Sequence, residues 1–97
     1  MEDLAELEWD EGNLSHILID AAHGLSPALC DDIRRGTPKL FANRPGEGRS
    51  GSHVMIGPAD DGRFWTVVVL DRGAGLWRPI TGWPSTRTEI RLYQEES

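Results

Sequence analysis

One cysteine is all the chain has. Cys30 has no thiol partner for an internal disulfide and no second thiol for a cysteine-based metal site, so a reducing compartment is the expected home. No apolar run approaches the length that spans a bilayer. The acidic opening, MEDLAELEWDEG, has neither the basic n-region nor the apolar h-region of a secretion signal. A cytoplasmic protein is expected. Lysine is nearly missing too: nine of the ten basic residues are arginine, whose planar fork suits bidentate contact with phosphate. Bases of either kind are absent from residues 1–33, which carry nine acids. All ten fall in residues 34–93, against five acids there, so a net charge of −6 conceals a basic region behind an acidic one. Ordinary solvation and intramolecular complementarity account for such a division. An anion-binding face on the basic part is the alternative. No repeat, linker or low-complexity segment interrupts the chain, which reads as one domain, 1–97.

What is present centres on Arg63 to Thr81, RFWTVVVLDRGAGLWRPIT. Phe64 to Leu70 is uncharged and rich in β-branched and aromatic residues, the composition of a central strand covered on both faces. Asp71 to Gly75 supplies a turn and Leu76 to Thr81 returns, an antiparallel hairpin with a longer loop. Pro79 cannot donate to a ladder, so the returning strand is an edge or carries a bulge there. Met1 to Glu8 is expected to be frayed, with Leu4, Leu7 and Trp9 as apolar anchors. Asp10 is a suitable N-cap, and Leu14, Ile17, Leu18 and Ala21 form one helical stripe that ends at Gly24. Ser26-Pro27 opens a second helix that stops at Gly36, with Leu29, Cys30 and Ile33 on its inner face. KLFAN (39–43) and SHVMIG (52–57) read as strands around a flexible RPGEGRSG loop. Thr86-Arg87-Thr88-Glu89 is a T-x-x-E capping box for a closing helix to about Gln94. The expected class is α+β: two N-terminal helices, a four-stranded antiparallel meander and a C-terminal helix.

Three fragments, in order, resemble the BrnT family of bacterial toxins, of the RelE-like structural superfamily. They are Trp9-Asp10-Glu11-Gly12-Asn13 with His23-Gly24-Leu25-Ser26; Ile56-Gly57 with Gly62-Arg63 and Val67-Val68-Val69; and Arg78-Pro79-Ile80-Thr81 with Ser85 to Tyr93. The resemblance implies a RelE-like fold and a toxin of a two-gene toxin–antitoxin module. Such a toxin cleaves RNA without a metal or other cofactor and is silenced by a partner antitoxin, here expected to be a small ribbon-helix-helix protein. Metal-free cleavage uses the RNA's own 2′-hydroxyl. The protein must then supply a base, an acid and cations for the phosphorane charge. The sequence departs from the family pattern at two points. Trp83 falls where the family has an arginine, and Gly51-Ser52 where it has a Glu-Arg pair. A catalytically weakened protein-binding module that keeps the fold is therefore the alternative function.

The catalytic candidates are His53, Arg78, Arg87, Arg91 and Tyr93. Arg87 and Arg91 lie one turn apart on the last helix and, with Arg78, would cradle a phosphate while Tyr93 stacks on a base or donates through its hydroxyl. His53 is the proton-transfer candidate, if it points from its strand to the same surface. Arg49, in the glycine-rich loop, and Trp83, as an exposed stacking surface, are the RNA-binding candidates. Against this stands the plainer assignment: a solvated helix face with Glu89 as local counter-charge, and an exposed strand histidine. His16, Asp20 and His23 share a helix face, but nothing completes a metal site with them. Cys30 is a small core residue. Of Trp65, Trp77 and Trp83, at least one belongs in the core.

Overall fold

A computed structural model describes residues 4–19, 24–42 and 53–95, with the backbone alone given for 16–19. Along the chain come β1 (Glu6–Leu7), α1 (Glu11–Ile19), α2 (Pro27–Arg35), β2 (Lys39–Ala42), β3 (His53–Pro58), β4 (Phe64–Gly73), β5 (Leu76–Pro84) and α3 (Arg87–Glu95). The fold is α+β, with one sheet in the order β1-β5-β4-β3-β2. Strands β2 to β5 form the expected antiparallel meander. The fifth strand corrects the four-stranded expectation and makes the sheet mixed: Glu6 and Leu7 are not frayed but pair in parallel with Leu76 and Trp77.

Strand β4 sits in the middle, as its uncharged run requires, and its alternation sorts the two faces. Trp65, Val67 and Val69 point to one side with Leu7, Leu25, Cys30, Ile33, Met55, Ala59 and Trp77, the cluster to which α2 contributes Cys30 and Ile33. Val68 points to the other with Val54 and Ile56, and Phe41, Ile80, Trp83 and Tyr93 pack against these. Tyr93 belongs to α3, so that helix lies on the second face, yet none of its residues is buried.

Local chemistry sets the element ends. Ser26 Oγ accepts the Leu29 N–H at 3.1 Å with Pro27 at the first helical position, and Gly36 ends α2. In the capping box of α3, Glu89 N–H donates to Thr86 Oγ1 (3.2 Å) and Thr86 N–H to Glu89 Oε1 (2.8 Å). At Pro79 the β4–β5 register slips, Val68 facing Thr81 and Val69 facing Pro79, so Ile80 is the extra residue of a bulge. Of the two expectations for Pro79, the bulge holds; β1 covers the outer side of β5 near its start. The hairpin loop is shorter than expected, because β4 runs to Gly73 and β5 resumes at Leu76. Ala74 and Gly75 both carry positive φ (55° and 81°), as a primed two-residue turn requires. Among the described residues no helix is long and apolar enough to cross a membrane.

Candidate functional site

Arg78 is the most heavily engaged of the expected site residues. It stands near the start of β5, where the parallel strand brings the chain from Glu8 into α1 alongside it. Its Nη1 and Nη2 form a fork on Asp10 Oδ2 (2.6 Å) and Oδ1 (2.9 Å), and Nη1 also donates to Glu8 Oε1 (3.1 Å). Arg72 Nε approaches the same Glu8 oxygen at 3.4 Å. Asn13 locks the backbone around this pair. Its amide donates to the Glu8 carbonyl (2.8 Å) and, across the fold, to the Pro79 carbonyl (3.1 Å). Asp10 N–H donates to Asn13 Oδ1 (2.8 Å) and Asn13 N–H to Asp10 Oδ1 (3.2 Å), a reciprocal cap on α1. The electrostatic result is mutual. The Arg78 guanidinium, with the Asn13 backbone N–H, lowers the Asp10 carboxyl to about 2, while Asp10 and then Glu8 raise Arg78. A guanidinium with two carboxylates is already neutralised and is not poised to receive a phosphate.

Tyr93 lies at the other end of the sheet, near the Pro84 exit of β5. Its hydroxyl donates to the Thr37 carbonyl at 2.6 Å, which leaves Thr37 Oγ1, 3.0 Å away, as donor to the phenol oxygen. Its ring meets Phe64 edge-on, centroids 5.1 Å apart. Lys39 Nζ lies 4.5 Å from the ring centroid and donates to the Tyr93 carbonyl at 2.9 Å. That contact gives the end of α3 the cation its own last turn lacks. Tyr93 is an anchor that fastens the helix to β2 and β4.

His53 points the other way. It pairs with Val69, a residue of the first cluster, and its ring meets Trp77 edge-on at 5.1 Å. His53 and Tyr93 are therefore on opposite faces of the sheet, and the five catalytic candidates do not converge. Arg87 and Arg91 do share α3 with Tyr93 and are exposed, with no hydrogen bond or ion pair among the described residues. Trp83 is half-buried rather than exposed: it packs on the second cluster, and its Nε1 donates to both Glu89 oxygens (3.1 and 3.2 Å). Trp65 and Trp77 are both core. Arg49, Gly51-Ser52, Asp20 and His23 lie outside the described residues, as does the side chain of His16. Among the described residues no group of His, Cys, Asp and Glu is arranged to hold a metal. Cys30 is buried, and that burial, aided by Asp31, pushes its thiol up to about 12, which makes it inert.

Sequence reasoning missed Glu8, Arg72, Arg34 and Lys39 as structural partners. A signal existed for the first: Glu8 adjoins the Trp9-Asp10…Asn13 fragment, and a reciprocal Asp–Asn cap beside an acid invites an arginine from elsewhere. Comparison with protein-family models, with curated proteins and with solved structures gives no match.

Proposed function

We propose that this chain is a protein-binding module built on the frame of a BrnT-like toxin, without the ribonuclease centre. The observation that carries this reading is Arg78, forked onto Asp10 and bonded to Glu8, at the opposite end of the sheet from Tyr93. A phosphoryl-transfer site needs its cations unspent and its acid and base within reach of one atom. Here the best proton-transfer candidate lies against Trp77 on the far face. The expected partner is a small ribbon-helix-helix protein of the antitoxin kind.

A metal-independent ribonuclease is the second reading, favoured by Arg87 and Arg91, exposed one turn apart. The two separate cleanly. Purified protein in large excess should leave a structured RNA intact on a gel, and its expression should not arrest growth. Cleavage that disappears in an Arg87→Ala/Arg91→Ala double variant would establish the nuclease instead. Co-expression with the product of a neighbouring small reading frame, followed by purification through a tag on one chain, tests the partner.

A further inference from the structure

β1 is short for the number of groups that hold it. It pairs with β5 through Glu6 and Leu7 alone, yet arginines from three different elements reach the segment around it. Arg34 of α2 donates to the Ala5 carbonyl at 3.0 Å, Arg72 of β4 faces Glu8, and Arg78 of β5 holds Glu8 and Asp10. Between them Leu7 is buried in the first cluster. On the main chain, Ala5 and Glu6 N–H donate to the Gly75 carbonyl and Glu8 N–H to the Trp77 carbonyl. These are the contacts by which a sheet edge receives an extended peptide: ladder bonds for affinity, a pocket for one side chain, charge for its neighbours. The fit is incomplete at one end. Arg34 Nε is buried without a hydrogen-bond partner, and among the described residues the Ala5 carbonyl is the hydrogen-bond partner of a side chain with five donors.

We propose that β1 is a self-ligand. The outer edge of β5, with Arg34, Arg72 and Arg78, is a docking site for an acidic extended segment of a partner protein, and residues 4–10 of this chain fill it in cis. This rests on the partner-binding reading above and specifies what the partner presents. Its segment runs parallel to β5, with an apolar side chain at the place of Leu7 and carboxylates at those of Glu8 and Asp10. A further carboxylate near Ala5 would give Arg34 Nε the hydrogen bond it lacks. Tethering gives β1 an effective concentration on the order of millimolar, so the partner displaces it only with such extra contacts or by being held elsewhere as well. Until then β1 keeps the edge from pairing with stray strands.

The probe is a fluorescent peptide with the sequence of residues 4–10, LAELEWD, beside a neutral version with Gln and Asn in place of its acids. Both are titrated against the full chain and against the full-length Glu8→Gln variant, whose own strap is weakened while the Asp10 cap is kept. The acidic peptide should bind Glu8→Gln about tenfold more tightly than the unaltered chain, the order expected for one charge-assisted hydrogen bond. The gain should vanish with the neutral peptide and in Glu8→Gln/Arg78→Gln. Equal binding of the two peptides, or no binding to either protein, overturns the proposal. On the unaltered chain, millimolar acidic peptide should also speed hydrogen exchange at the Glu8 amide, and unchanged exchange counts against displacement. RNA cleavage by the same preparation would remove the non-nuclease reading and leave the docking result standing.

Discussion

The two faces of the sheet are held by different physics. On the first, ten buried residues among those described, from β1, α2, the strands and their connections, close a core that includes Trp65 and Trp77. On the second, three buried residues among those described lie beneath half-exposed Phe41, Ile80, Trp83 and Tyr93, and α3 buries nothing fully. What fastens α3 is polar and specific: the Tyr93 phenol on Thr37, Lys39 on the Tyr93 carbonyl, and Glu89 shared between its own cap and Trp83. Hydrophobic burial scales with area and is forgiving of detail, whereas a few hydrogen bonds of about 1 kcal/mol each hold only while their geometry holds. The first face makes the fold; the second carries a helix that responds to changes in its contacts.

The comparison predicts unequal costs for equal truncations. Ile33→Ala, in the sealed face, should destabilise by about 2–5 kcal/mol, because it removes buried methyls and leaves a cavity. Ile90→Ala on α3, where the side chain is only half-buried, should cost roughly 1 kcal/mol or less. Denaturant melts give the difference. Cys30 adds an internal reporter, since a thiol reagent should label it only as the first face opens. Similar losses for the two variants would dissolve the distinction.

Gly82→Ala sharpens the same point by overfilling instead of emptying. A Cβ there would stand 2.8 Å from the Thr66 carbonyl oxygen and 3.0 Å from Leu25 Cδ2, and a backbone oxygen in a central strand cannot yield cheaply. The expected loss is about 1–3 kcal/mol in a melt, with Cys30 labelled faster. A neutral result would mean that β5 can slide at its bulge.

Tyr93→Phe tests the second face. It removes the phenol that donates to the Thr37 carbonyl while keeping the ring against Phe64 and Lys39, so the loss should be about 0.5–1.5 kcal/mol. The damage should be local. Amide protection should fall in α3 and stay unchanged in β4, and a uniform fall would show that the helix and the core melt together.

How much of this was legible depends on how local the cause is. The caps of α2 and α3, the proline bulge and the buried run of β4 are each written within a few residues, and the sequence carries them plainly. β1 is not: two residues paired in parallel with a distant strand leave no periodicity, and Leu7 looked like a stray anchor. The grip on Arg78 was hidden for the same reason, since its carboxylates sit at the far end of the chain. His53 is a different failure. Strand alternation places it with Met55 and against Val54, but only the packing of the helices decides which side Tyr93 occupies.

The smallest expected effect concerns the join between the first face and its N-terminal strap. Because Arg78 and the Asn13 backbone N–H lower the Asp10 carboxyl to about 2 from its ordinary 3.8, the folded chain binds fewer protons than the unfolded one between those values. Asp10 therefore contributes its full stabilisation above about pH 4, and the contribution is lost as pH falls toward 2. Much of the pair is open to water, the Asp10 side chain 55% exposed and that of Arg78 21%, so salt should weaken the contribution. Loosening should begin at the strap. The Glu8 amide, bonded to the Trp77 carbonyl at 2.7 Å, should lose exchange protection across this range before the amides of Val67 and Val69 do. In Asp10→Asn the Glu8 amide should be less protected at neutral pH, and its loss of protection between about pH 4 and 2 should be smaller than in the unaltered chain, because the Asp10 carboxylate no longer contributes to it. Simultaneous loss at Glu8 and Val67 in the unaltered chain would mean that strap and core form one cooperative unit, with β1 as firmly part of the fold as Ile33.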